Sequence, residues 1–564
     1  MSDTNGSADL VFVNGPVYTV DAARSWATAV AVKAGTIVAV GADRDVRAWV
    51  DPHTEVVDLA GRMLLPGFQD AHIHPPGSGL EMLRCNLTEL YVLDAYERVI
   101  AEYAAANPNA PWILGGGWYM DVFPGGTPTK EALDAIVPDR PAFLTNRDGH
   151  GAWVNSRALE LAGITHDTPD PRDGRIERNP DGEPSGTLHE GAMSLVTAVA
   201  PVDTDDDFAA GLRVAQRYLH SLGITAWQDA DISEDDSGYR TFNAYVAAAT
   251  SGDLTARVIG ALWWNRHRGL EQIEGFVDAR ARGTVGRFSP TTVKIMQDGV
   301  IENFTAATLT PYLDANGLPT DNAGISFVDP ELLKDAVTQL DALGFQTHFH
   351  ALGDRAVRES LDAIEAALIA NGPSDNRHHL AHIQIVHPDD IPRFRRLGAI
   401  ANGQPLWAGH DGQMDNLTIP FIGPERASWQ YPFASLVRAG AVLAFGSDWS
   451  VSSPNPLWEM QVAVERRGPS DVAETWGEAI TEVFIPEERI DLATAIGAFT
   501  MGAAYVNHLD RLTGSIEVGK YADLTVVDQN LFEIPSDEVW KAAVELTFVE
   551  GECVFDISQA GTTV

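Results

Sequence analysis

Between residues 64 and 447 short apolar runs alternate with helical stretches, and that alternation restricts the fold more than anything else in the chain. Eight runs read as strands: 64–73, 223–229, 256–264, 291–297, 344–350, 379–384, 398–403 and 441–447. Helical patterns separate the later ones, such as 330–343 and 354–370. Parallel strands need a crossover of a dozen or more residues, usually a helix, so this order predicts a parallel α/β domain. Eight such strands suit a TIM-like (β/α)8 barrel, with its chemistry at the C-terminal strand ends. The interval from 75 to about 205 exceeds any single crossover, so an inserted subdomain is expected, with loop-rich stretches at 108–130 and 165–187.

The two ends read differently. Residues 9–20 and 26–41 are short β-rich runs split by Asn14-Gly15-Pro16 and Lys33-Ala34-Gly35, and 522–528 and 545–555 are similar, the latter split by Glu550-Gly551-Glu552. A lone hairpin is marginal in water, whereas three or more strands with a shared apolar face are stable. Both ends are therefore expected to pair into one composite β-sandwich. The division is 1–63 for its N-terminal part, 64–504 for the catalytic barrel and 505–564 for its C-terminal part.

Composition narrows the partners. A formal net charge of −40 argues against nucleic acid, which needs a basic face, and against an anionic membrane surface. Cys85 and Cys553 are the two cysteines, too few for a disulfide framework or a thiolate zinc site. The opening MSDTNGSADL has neither the basic start nor the apolar core of a signal peptide, and no run approaches ~18 apolar residues, so a cytoplasmic protein is expected. Six lysines, among 39 basic residues, make any lysine in an apolar setting conspicuous.

One such lysine lies among unusual company. The first strand ends Asp70-Ala71-His72-Ile73-His74, and side chains two apart on a strand share a face, so His72 and His74 can converge on one ion. Lys294 sits inside TTVKIMQDG, where burial is costly unless the cation is paired or modified. The fifth strand ends His348-Phe349-His350, the sixth runs His379-Leu380-Ala381-His382, and the eighth ends Gly446-Ser447-Asp448. Imidazoles with a carboxylate suit zinc or a related divalent ion.

These motifs, with VFVNGPVYTVD, LLPGFQDAHIH, VKIMQDGVIENFTA, THFHALGDRAV, HLAHIQIVHPDD, FGSDWSVSSPNP and GSIEVGKYADLTVVD, resemble the amidohydrolase superfamily over nearly the full length. Within it the resemblance is to N-substituted formamide deformylases and YtcJ-like hydrolases. It implies metal ligands at His72, His74, Lys294, His350, His382 and Asp448, with Lys294 an N6-carboxylysine bridging two ions. An unmodified Lys294 paired with an acid such as Asp298, beside a single ion, is the alternative. His348 shares a face with His350, and the family pattern favours His350. His378, His379 and His387 are expected to pack or face solvent, and Asp354 to cap the helix that follows it.

The implied chemistry is hydrolysis of a non-peptide C–N bond in an amide, N-substituted formamide or cyclic amide. Asp448 would move the proton and His150 would stabilise the oxyanion. Trp118, Tyr119 and Met120 after three glycines, together with Asp298, Trp407 and Trp449, are expected around the substrate. A lyase or decarboxylase on the same metal site is the competing enzyme class, and a catalytically dead assembly protein the non-enzymatic one. The expected partners are a small-molecule substrate and further copies of the chain, as a homodimer or higher homo-oligomer.

Overall fold

The protein is described by a computed structural model over residues 6–233, 240–469 and 478–559. Eight parallel strands form the central sheet, in the order β8-β7-β6-β5-β4-β3-β2-β1. They are β1 (Phe68–Ile73), β2 (Ile224–Ile232), β3 (Arg257–Trp263), β4 (Phe288–Met296), β5 (Gln346–Ala351), β6 (His379–His382), β7 (Ile400–Gly403) and β8 (Leu443–Phe445). The sheet curls into a nearly closed barrel. Asp448 N–H donates to the His72 carbonyl at 2.8 Å and Ser447 Oγ to Asp70 Oδ2 at 2.6 Å, tying the last strand to the first.

Strand β5 shows why the barrel interior is polar. Gln346, His348 and His350 alternate with Thr347 and Phe349, and Phe349 joins the apolar cluster beneath the surrounding helices. Period two sends one set of side chains inward and the other outward. Helix Pro330–Ala342 is capped by Asp329, whose carboxylate accepts from the N–H groups of Glu331 and Leu332. Asp354 does not behave as expected at the start of helix Asp354–Asn371. The cap position is Gly353, and the Asp354 carboxylate accepts the Leu309 N–H at 2.8 Å, tying down a loop.

The run expected as one strand over 64–73 is two. Met63–Pro66 pairs antiparallel with Leu524–Val527 in a six-stranded sheet, while Phe68 begins β1. Gly67 makes the passage, and a Cβ there would lie 2.5 Å from the Thr225 side chain. That sheet mixes strands from both ends of the chain, and a four-stranded sheet of N-terminal strands packs on it. Leu10, Phe12, Val30, Leu64, Leu524 and Phe548 share one buried cluster between them, with Phe12 and Phe548 edge to face at 5.1 Å.

The interval after β1 carries its own six-stranded mixed sheet, from Cys85–Asn86 to Pro184–Glu190. The stretches read as loops contain strands Ile113–Trp118 and Gly174–Arg178. Ile113–Trp118 is glycine-rich because neighbouring backbone comes close: a Cβ on Gly116 would meet Thr145 Oγ1 at 2.1 Å. No helix among the described residues is long and apolar enough to cross a membrane.

Candidate metal centre

At the C-terminal mouth of the barrel, His72 Nε2 lies 3.2 Å and His74 Nε2 3.0 Å from Asp448 Oδ1. His382 Nδ1 is 3.8 Å from Asp448 Oδ2. Donor atoms of His72, His382 and Asp448 all fall within 4.8 Å of one another, and all three residues are buried. The His350 and His382 rings approach to 4.4 Å. Lys294 Nζ is 3.4 Å from His72 Nε2. Strands β1, β4, β5, β6 and the end of β8 thus bring all six expected ligands to one place.

Two of these residues have backbone angles that non-glycine residues rarely adopt: φ is 74° at His382 and 56° at Asp448. The His382 N–H bonded to Gln404 Oε1 at 2.9 Å and the Asp448 N–H bonded to the His72 carbonyl hold them there. Strain maintained by surrounding hydrogen bonds is characteristic of functional positions.

The charges suit a cation. Burial lowers His72 to about 3, with the Lys294 charge assisting, so its imidazole is neutral. Burial also holds His350 and His382 well below the ordinary value. At Asp448 burial opposes ionisation, but the surrounding histidines keep the carboxyl well below the usual range. Burial pushes Lys294 down to about 7 against the attraction of Asp448 and Asp231. Neutral imidazoles at His72, His350 and His382 and a carboxylate at Asp448 are the protonation states a divalent ion requires. At His74 burial is outweighed by the hydrogen bond and charge of Asp448, which raise its pKa, so this ring must lose a proton to bind. His382 Nε2 is buried without a hydrogen-bond partner, a lone pair left for a ligand. The donor set therefore fits a zinc-like ion.

Hydrogen bonds behind the cluster orient it. Gln404 Oε1 accepts the His382 backbone N–H, so it also accepts from Nδ1 at 3.1 Å, leaving Nε2 unprotonated. His350 Nδ1 lies 3.2 Å from Asp298 Oδ1. Asp298 was expected at the substrate, and the structure corrects this. It is wholly buried, and its two oxygens accept the N–H groups of Ala307, Leu352 and Gly353, so it anchors His350 and pairs with that ring rather than Lys294.

His150 lies on the other side of the site, its ring 5.3 Å from that of His350. Burial would discharge it, but Glu190 Oε1 at 2.7 Å, with Asp148 and Asp448, raises it to about 9. Of the residues that share this network, Asn303 and Thr305 lie within the VKIMQDGVIENFTA motif, which does not single them out, and Glu190 carried no recognisable motif. Nor did Gln228, Gln346 and Gln404, although the alternation of GFQTHFH already placed Gln346 on the His348 face.

A cavity of about 160 Å³ adjoins the centre, lined by Tyr119, Arg147, Glu302, Trp407, Met414 and Tyr431 among others. Trp407 links the two, stacking on His382 at 5.3 Å and 8°. Two expected substrate residues, Trp118 and Trp449, are not among those lining this cavity. Trp118 is fully buried in the inserted subdomain, its indole N–H on the Leu144 carbonyl at 2.8 Å, because position 118 faces that sheet's own core. Trp449 packs its ring on Tyr218 at 5.3 Å, and its carbonyl accepts the His74 N–H at 3.1 Å. Met120 belongs to the same buried cluster as Trp118. Of the remaining histidines, His378 bridges Thr347 and Asp341, His379 lies inside the barrel, and His387 meets the Trp429 ring.

Fold and donor set together define a (β/α)8-barrel protein with a histidine–aspartate metal-binding centre. The chain matches the model of the Amidohydrolase family over residues 55–555, and it belongs to that family. It is 32% identical to Protein LONG AFTER FAR-RED 3 of Arabidopsis thaliana, across 97% of this chain and 92% of that one. It is 27% identical to the N-substituted formamide deformylase of Arthrobacter pascens, across 96% and 97%. Among solved structures, an uncharacterized metal-dependent hydrolase from Pyrococcus horikoshii OT3 superposes with a TM-score of 0.72 at 22% identity, covering 93% of this chain and 99% of that one.

Proposed function

We propose that this protein hydrolyses a non-peptide C–N bond in a small molecule, an amide, N-substituted formamide or cyclic amide, using a divalent ion, zinc in the first instance. The observation that carries the reading is the convergence of His72, His74, His382 and Asp448 at the barrel mouth beside a largely apolar cavity. Its similarity to an N-substituted formamide deformylase supports the choice of bond. His72, His74, His350, His382 and Asp448 would hold the metal, with Lys294 as an N6-carboxylysine bridging a pair of ions.

What a divalent ion supplies when bound is Lewis acidity, which brings the pKa of water toward neutrality and polarises a carbonyl. Asp448 takes a proton from the attacking water and returns it to the departing nitrogen. His150 has its Nδ1 on Glu190, so Nε2 is the edge that donates to the oxygen gaining negative charge. Trp407 closes one side of the pocket and excludes water from the His382 face.

The test is elemental analysis of the purified protein, followed by incubation with a panel of N-substituted formamides, secondary amides and cyclic amides. Amine or formate release, lost in Asp448→Asn, supports the reading. Release of carbon dioxide or a ketone without amine would transfer the site to lyase chemistry. A crystal structure with Lys294 unmodified beside one ion would correct the bridged form.

A further inference from the structure

Below the metal centre lies a chain of buried amides and imidazoles that the proposed chemistry does not use. Its hydrogen directions can be derived from one end to the other, starting from groups whose roles are not adjustable. Gln346 Nε2 lies 2.7 Å from the Arg377 carbonyl and 2.9 Å from the Val506 carbonyl. Backbone carbonyls only accept, so this atom is the NH2 and Gln346 Oε1 is an acceptor. Oε1 takes the Thr292 hydroxyl at 2.7 Å and Gln228 Nε2 at 3.0 Å. The second amide is thereby oriented too, with its Nε2 also reaching Asn507 Oδ1 at 3.3 Å.

Gln228 Oε1 therefore faces two histidines and accepts from both: His348 Nδ1 at 2.7 Å and His379 Nε2 at 2.9 Å. The partners of His348 are Gln228 and His72 and those of His379 are Gln228 and Asn402, none of them a carboxylate, so each buried ring carries one proton, and the amide oxygen claims it. His379 Nδ1 is then an acceptor, and Asn402 Nδ2 stands 3.2 Å from it while also donating to the Ala71 carbonyl at 2.9 Å. His348 Nε2 is likewise an acceptor, and His72 Nδ1 lies 2.7 Å from it. Each step leaves the next ring one option, and every residue in the chain is buried.

From this chain we infer that Gln346, Gln228 and His348 act as a tautomer relay, fixing the proton of His72 on Nδ1 and so aiming a Nε2 lone pair at the metal position. The inference rests on His72 being a metal ligand. It assigns His348 a place beneath the metal layer, where its Nε2 is already engaged, and makes Gln228 and Gln346 positioning residues. Such a relay is built from amides because a carboxylate at position 228 would bring a buried charge, whereas a carboxamide sets direction alone.

Neutron diffraction from deuterated crystals of the metal-loaded protein tests the relay directly. Deuterium on His72 Nδ1, His348 Nδ1 and His379 Nε2 is the expected result, and deuterium on His348 Nε2 would overturn it. A second arm measures zinc affinity by chelator competition. Gln228→Met, which removes the acceptor, should weaken zinc binding by about 10- to 100-fold. Gln228→Glu, able as a neutral acid to accept at one oxygen and donate from the other, should recover most of it. Equal zinc affinity in Gln228→Met and wild type would also sink the relay. If Gln228→Met does not fold, the deuterium positions decide alone. Wild-type protein that binds no divalent ion would instead remove the metal reading itself, a failure distinct from that of the relay.

Discussion

His350 and His150 face each other at 5.3 Å, yet the structure holds them in opposite charge states. His350, at the end of β5, lies well below its ordinary pKa, while His150, on the inserted subdomain, rises to about 9. Both are enclosed, and burial acts on both in the same direction. The partner makes the difference. Asp298 offers His350 an oxygen 3.2 Å away that is already shared with the Leu352 N–H, and burial outweighs it. Glu190 gives His150 a carboxylate that is held ionised, on an oxygen 2.7 Å away. One side of the site thus presents lone pairs to a cation, and the other presents a cation to an anion.

The largest effect should come from the group both sides meet. Asp448→Asn should reduce kcat/KM by about 10³-fold or more, since it removes both a ligand and the proton carrier; steady-state assay with metal analysis checks it. Glu190→Gln should cost about 10²-fold and erase the contrast between the two histidines. The sign follows from the raised value: activity needing protonated His150 persists at low pH and is lost as pH rises through about 9 in wild type. In Glu190→Gln that loss should move down toward ~6.5, the ordinary histidine value. A pH–rate profile unchanged by the substitution would mean that His150 does not act as a cation.

Smaller effects sharpen the roles of the aromatic residues. Trp407→Ala should raise KM roughly tenfold, the loss of about 1.4 kcal/mol of ring contact, with bound metal unchanged. Trp118→Phe should leave KM within about twofold and lower stability by about 1 kcal/mol, read by thermal unfolding, because it loses a hydrogen bond in the insert core. A larger KM change at 118 than at 407 would reverse the placement of the two rings.

How much of this was legible in the chain depends on distance along it. The barrel strands could be read because alternation and crossover length are local properties. The ligands could be read because each stands at a strand end beside its own short motif. Trp118 and Trp407 looked equivalent, since an aromatic residue in a glycine-rich segment carries no sign of which wall it faces. Glu190 was invisible because its importance lies in His150, forty positions away, across the strand pair Gly151–Val154 and Pro184–Glu190. Gln228 was invisible for the same reason, and for Gln346 alternation gave the face but not the role: a carboxamide declares its direction only through what it touches.

With the choice of six ligands left to family resemblance, the amino-acid sequence by itself determined the α/β architecture, the histidines and aspartate at the strand ends, and the conspicuous lysine among them. Those are consequences of periodicity and residue chemistry, which act over a few neighbours. The tertiary structure alone decided which nitrogen of each ring is free, which histidine is charged, and which tryptophan meets the cavity. A proton's position is set by the hydrogen bonds and charges within a few ångströms, and in this protein those come from strands hundreds of residues apart: His72 takes its direction from His348, and His348 from Gln228.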